Sequence, residues 1–324
     1  MVTASFATGA GQSAGLAAPA LFPAAPSAAP LFAVHFTAMA CRCEVMLAAP
    51  DAAAAQRLAQ PALDEVRRIE SKYSRYRDDS LLARIHADAG LRPTTIDAET
   101  AALLGYADTL YRASGGAFDI TSGVLRRAWN FRVAQVPGDA QLAPLLALVG
   151  WPQVQRGPGQ VYLPRAGMEL DFGGFGKEYA ADRAAAALLA QGVEHGYVNL
   201  GGDLRAMGPQ PDGTPWEIGI QDPRDSAATV ASIALYAGAL ATSGDYERFI
   251  EVEGQRHCHI LDPASGHSCR GWRSVSVLAP VTVAAGSQAT IAMLKGPAGL
   301  EFLERSGCRY LAIDAGGAVY RRNA

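Results

Sequence analysis

Residues 257–266 read His-Cys-His-Ile-Leu-Asp-Pro-Ala-Ser-Gly, a polar cluster between two apolar, strand-like runs. A histidine so placed is either a hydrogen-bonded core residue or a general base, because its ordinary pKa lies near neutrality. Alternation along a strand would set His257 and His259 on one face and Cys258 on the other.

Four more segments carry chemical potential. Leu170-Asp171-Phe172-Gly173-Gly174-Phe175-Gly176-Lys177 runs from a short strand into a helix. A glycine-rich turn at a helix start can cradle an anion with backbone N–H groups and the helix dipole, and Lys177 adds charge. The segment is neither the dinucleotide G-x-G-x-x-G fingerprint nor a Walker loop, and a close-packed turn is the other reading. Val198-Asn199-Leu200-Gly201-Gly202-Asp203 lets backbone approach a flat group, or closes a hairpin. Residues 241–246 and 116–121 each put an aspartate beside small residues after a regular element. That is a common setting for a site and equally for a plain turn.

Regular elements must position these segments. Residues 31–48 alternate as a strand, and apolar residues three or four apart predict a helix over residues 52–73. Asp97 opens a second helix that Gly115-Gly116 stops near Ser114, and residues 179–190 form a third. Strands follow at residues 196–200, 216–221, 229–236, 248–252 and 274–279. Helices are expected at 287–294 and 298–306, and a terminal hairpin begins at residue 310. Runs of strands with interspersed helices indicate an α+β domain, with mixed or antiparallel sheets and packed helices.

With 324 residues, 49% of them hydrophobic and 18% charged, the chain can bury a sizeable core. Its net charge of −3 and scattered basic residues give no stripe for nucleic acid. Residues 1–30, rich in Ala, Gly, Ser and Pro, are expected to be a disordered arm before one domain over 31–324. No Lys or Arg precedes Arg42 and no transmembrane run is evident, so the expected compartment is the cytoplasm, or the periplasm if translation starts elsewhere. Five cysteines without a regular framework are expected to be reduced, and their spacing matches no standard zinc pattern.

Taken in order, Met39, Ser74 to Ser80, Gly116 to Thr121, Leu170 to Asp182, Asn199 to Asp203, Thr242 to Tyr246 and His259 to Gly266 closely resemble the FAD:protein FMN transferase family, the ApbE-like flavin transferases. The resemblance implies the ApbE-like α+β fold with FAD in a cleft and Mg²⁺ on its diphosphate. A Thr or Ser hydroxyl of an acceptor flavoprotein attacks the FMN phosphate, and AMP leaves. It further implies that Met39 and Tyr76 contact the flavin or adenosine, that Ala117, Phe118 and Asp119 line the same cleft, and that Asp171 and Lys177 hold FAD. His259 matches the catalytic histidine and Ile260 touches FAD. The Gly174 carbonyl and the Thr290 side chain match two metal ligands.

The chain departs from the family at three places. Gly286 stands where the family's third metal ligand, an Asp four residues before the Thr, is expected. Glu178 replaces the usual Gly after the Lys, and is either a replacement carboxylate or an ordinary first-turn residue favoured by the helix dipole. Met39-Ala40-Cys41 replaces Met-Gly-Thr. Loss of the Asp weakens the expected grip on a hard cation. The alternative function is therefore an FAD-binding protein without transferase activity, or a weak FAD pyrophosphatase. Restoring the carboxylate by Gly286→Asp is expected to raise Mg²⁺ affinity unless the site has been rebuilt.

Overall fold

The computed structural model describes residues 29–322. The arm expected over residues 1–30 lies outside them except for its last two residues. The chain opens with an antiparallel hairpin, β1 (Leu31–Ala38) and β2 (Cys41–Ala48). The sequence pattern implied one strand here. Met39 and Ala40 form the turn with φ of 51° and 59°, although neither is a usual turn residue. Met39 therefore sits in a tight turn rather than in a strand.

Helix α1 (Ala52–Tyr73) starts where Asp51 accepts a hydrogen bond from the Ala54 N–H at 2.7 Å. Its Ala55, Ala59, Ala62, Val66, Ile69 and Tyr73 face the core. Then come α2 (Leu81–Ala87), β3 (Thr94–Thr95) and α3 (Ala98–Ser114), the last capped by Asp97 and ended by Gly115 in the left-handed region. A 3₁₀ helix over Ile120–Arg127 leads to α4 (Asp139–Leu146), β4 (Gln155–Gly157) and β5 (Gln160–Tyr162).

Helix α5 (Gly176–Ala190) begins three residues earlier than the sequence pattern indicated, which puts Lys177 and Glu178 in its first turn. After it the chain forms β6 (Gly196–Leu200), β7 (Asp203–Gly208), β8 (Trp216–Gln221), β9 (Thr229–Leu235), β10 (Gly238–Gly244), β11 (Phe249–Val252), β12 (Gln255–Cys258) and β13 (Trp272–Ala279). Gly201-Gly202 is the β6–β7 hairpin turn, with both residues at positive φ.

Helix α6 (Thr282–Leu294) follows, then α7 (Gly299–Ser306), β14 (Arg309–Asp314) and β15 (Val319–Arg322). The first turn of α6 was missed in the sequence because β-branched residues and Gly286 give it weak propensity. Asp182 of α5 supplies its cap, accepting from the Thr282 and Val283 N–H groups at 2.8 Å each.

One eight-stranded antiparallel sheet, in the order β1-β2-β6-β7-β10-β13-β14-β15, forms the frame. Helices α1 and α5 pack on each other, α5 lies along β6 and β7, and α6 lies along β10 and β13. This α+β arrangement stacks α5 directly against α6.

Candidate active site

A cleft of about 540 Å³ lies where segments remote in sequence meet. Its walls are the β1–β2 turn, the end of α1 with residues 74–76, residues 117–126, the loop entering α5, the end of β10, residues 259–261 after β12, and Thr290 of α6. This size is ordinary for a small-molecule site.

The loop entering α5 is held by charge. Asp171 receives Arg75 at 3.0 Å and Arg126 at 3.2 Å, and accepts the Gly173 N–H at 2.8 Å. Burial opposes ionisation of Asp171, but the two guanidiniums overcome it and hold its pKa below the usual carboxylate range. Its oxygens are engaged in shaping the loop. Asp119 behaves likewise. One oxygen accepts the Thr121 N–H and hydroxyl at 2.7 and 2.6 Å, and the other accepts the Trp151 N–H at 3.0 Å. Phe118 lies so close to Gly174 that a Cβ there would meet its ring at 2.7 Å, so only glycine fits under that aromatic. Helix α5 has no side-chain cap at its start. The Gly176 N–H donates to the Phe172 carbonyl at 2.6 Å and the Tyr179 N–H to the Phe175 carbonyl at 2.9 Å, which leaves the Lys177 and Glu178 N–H groups of the first turn without a side-chain acceptor.

Lys177 pairs with Asp203 at 2.5 Å. Burial works against the Lys177 charge, yet Asp203 and Glu178 prevail and hold its pKa above the ordinary lysine value. Gly201, at φ 60°, lets the hairpin backbone come this near, since a Cβ would stand 2.9 Å from that of Cys41. Glu178 does not point to solvent as a first-turn glutamate would. It is 6% exposed, lines the cleft, and its Oε2 has no hydrogen-bond partner among the described residues. Burial, then the neighbouring Asp203 charge, push its carboxyl up. Thr290 shares a hydrogen bond with Ser243 at 2.9 Å.

Among the described residues no three His, Cys, Asp or Glu side chains converge as a metal cluster. What the cleft offers a cation is oxygen: the Gly174 backbone, the Thr290 hydroxyl and a buried carboxylate with an unused lone pair. Such a donor set suits a hard divalent ion.

His259 follows β12 and is held by its backbone N–H, which donates to the Arg248 carbonyl at 2.9 Å. Burial, then the charges of Arg126 and Arg248, pull its pKa down to about 4, so at neutral pH the ring is an uncharged base. Its Nδ1 is buried without a partner among the described residues. His257 behaves differently from the alternation expected of it. It is buried beside Trp129, ring centroids 5.9 Å apart, and does not line the cleft. The strand ends at Cys258, so the period of two does not carry across to His259.

Met39, Tyr76, Ala117, Phe118, Asp119, Asp171, Gly174, Lys177, His259, Ile260 and Thr290 all border this one cleft. Tyr76 stands at the mouth, 74% exposed, with the Arg75 guanidinium 5.6 Å from its ring. Sequence reasoning missed Arg126 and Arg248, which lie in no recognisable pattern. It also underrated Glu178, whose one signal was an acid where the family has glycine. All five cysteines are free thiols, and Cys41 and Cys43 stand 3.7 Å apart at the sulfurs. No helix among the described residues is long and apolar enough to cross a membrane.

Comparison with known proteins gives one answer. The family model described as the ApbE family matches residues 39–312. The FAD:protein FMN transferase of Treponema pallidum (strain Nichols) is 34% identical over 258 residues, covering 72% of this chain and 71% of the relative. That of Escherichia coli (strain K12) is 29% identical, covering 76% and 74%. Among solved structures, the ApbE protein of Thermotoga maritima superposes with a TM-score of 0.83 at 29% identity, covering 91% of this chain and 97% of the other. The flavinyl transferase ApbE of Pseudomonas stutzeri gives 0.81 at 28%, covering 91% and 95%.

Proposed function

The chain belongs to the ApbE family, and on that premise we propose that it is an FAD:protein FMN transferase. FAD is the donor, a Thr or Ser hydroxyl of a flavoprotein is the acceptor, and AMP is released. The observation that carries the reading is a neutral, buried histidine in the same cleft as a cationic helix start, with arginines around it.

In this reading the α5 N-terminus and Lys177 receive the diphosphate, and Arg126 and Arg248 add positive field around His259. Tyr76 and Met39 border the space for a flat ring, and Asp171 and Asp119 fix the loops. His259 takes the proton of the acceptor hydroxyl. The hydroxyl oxygen bonds to the FMN phosphorus, the bond from that phosphorus to the bridging oxygen breaks, and the bridging oxygen leaves with AMP. The proton then passes from His259 to solvent. The Gly174 carbonyl and the Thr290 hydroxyl would contribute oxygens to Mg²⁺. Such an ion would offset negative charge on the diphosphate.

The test mixes purified protein, FAD and a threonine-bearing acceptor domain, with Mg²⁺ or with a chelator, and follows AMP and covalent flavin. Metal-dependent AMP release with a flavinylated acceptor is expected. His259→Ala should lower the single-turnover rate by about 10²–10⁴-fold while FAD binding persists. AMP with free FMN and no acceptor labelling would indicate a pyrophosphatase, and FAD that stays intact throughout would indicate a binder.

A further inference from the structure

The cleft contains one buried side chain that the reaction above leaves without a task. Glu178 is over nine-tenths buried, borders the cleft, and has an oxygen with no partner among the described residues. A carboxylate removed from water needs hydrogen bonds or a cation. The nearby cation, Lys177, is already engaged by Asp203 at 2.5 Å. With both acids ionised, this corner of the cleft carries one negative charge too many.

The space Glu178 fills is defined by another residue. A Cβ built on Gly286 would lie 2.5 Å from Glu178 Cγ and 2.7 Å from its Oε1. The glutamate therefore occupies the volume that a side chain at position 286 would need, and the two residues can coexist only because one is glycine. The helices cannot drift apart to relieve this. One turn along α5, Asp182 clamps the Thr282 and Val283 N–H groups, and Tyr106 donates to the Val283 carbonyl at 3.1 Å and bonds Ser287 at 3.0 Å. Gly174 and Thr290 border the same cavity.

We propose that Glu178 is the anionic ligand of a divalent-cation site completed by the Gly174 carbonyl and the Thr290 hydroxyl, its carboxylate delivered from α5 into the space that Gly286 leaves on α6. The donor set is all oxygen with one charge, so the cation is hard, of the Mg²⁺ or Mn²⁺ kind. The assignment rests on the transferase reading for what the ion does, but not for where it binds.

The first measurement is a Mn²⁺ titration followed by electron paramagnetic resonance, on protein alone and with saturating FAD without acceptor. Thermal melting of every variant checks folding. Glu178→Gln, nearly isosteric, should weaken Mn²⁺ binding at least tenfold. Gly286→Asp alone should lower the melting temperature, because its Cβ collides with Glu178. The double variant Glu178→Gly with Gly286→Asp moves the carboxylate between the helices and should bring Mn²⁺ affinity back to within about threefold of the parent protein. The proposal is overturned if the parent binds no Mn²⁺ under either condition, or if folded Glu178→Gln binds it within twofold of the parent. It is also overturned if the folded double variant binds no better than Glu178→Gln. Mn²⁺ binding that depends on Glu178 in a protein that never transfers FMN would uphold the site and sink the transferase reading. Metal-dependent FMN transfer with Mn²⁺ binding untouched by Glu178→Gln would do the reverse.

Discussion

Two corners of one cleft treat a buried ionisable side chain in opposite ways. Around His259 the field is positive, from Arg126, Arg248 and Lys177, and burial together with that field keeps the imidazole uncharged. Around Glu178 burial and the Asp203 charge favour the protonated acid and outweigh the opposing charge of Lys177. Each group also keeps a buried polar atom without a partner among the described residues. The lesson is electrostatic: one cleft holds a base kept uncharged by burial and surrounding positive charge and an acid kept protonated by burial beside another acid.

Lys177 belongs to both corners, so removing its charge is the strongest way to break the contrast. Lys177→Met leaves Asp203 buried opposite no cation and should cost about 3 kcal/mol of stability, read by urea denaturation without ligand. A loss below about 1 kcal/mol would mean that the pair is solvated enough to matter little. The same variant should let the His259 pKa rise, because one of the charges depressing it is gone.

The pH dependence sharpens the histidine side. The folded His259 pKa of about 4 lies below the ordinary histidine value of 6.5, so between these values the unfolded chain binds more protons. Its contribution to stability is full above pH 6.5, declines as pH falls toward 4, and reaches a loss of at most about 3 kcal/mol below that. Comparing the pH–stability curve with that of His259→Gln should remove this slope. FAD, bringing phosphates into the same field, should raise the His259 titration followed by NMR. An imidazole that titrates near 6.5 without ligand would contradict the buried environment described here.

The smallest effect is expected at the β1–β2 turn, where Ala40 borders the cleft but brings no charge to either corner. Ala40 sits at φ 59°, a conformation that glycine adopts without strain. Ala40→Gly should stabilise the protein by about 0.5–1 kcal/mol in thermal melts and leave the His259 titration unchanged. A shift in that titration would show that the turn and the histidine are coupled.

Much of the site was legible before any coordinates. The glycine-rich entry to α5, the Asp97 cap, the Gly115 stop and the period of α1 are local features, and local features survive in sequence. The two turns had opposite outcomes. Gly201-Gly202 announced a hairpin, whereas Met39-Ala40 gave no sign of one, because a tertiary hydrogen bond from the Met39 N–H to Glu70 at 2.6 Å helps hold it. The start of α6 was hidden for the same kind of reason, its cap being Asp182 on another helix.

The sequence by itself determined the kind of chemistry: a histidine after a strand, a lysine at a glycine-rich helix start, and a set of segments in the order of one family. It also exposed the missing acid at position 286 and the extra one at 178. Only the tertiary structure decided that these two departures meet. A side chain's volume is filled from whichever neighbour the packing brings there, and that neighbour is fixed by how α5 lies against α6. The separation of His259 from His257, and the gathering of Arg126 and Arg248 around the former, were decided there too, because burial and electrostatic field belong to a place in space and to no stretch of chain.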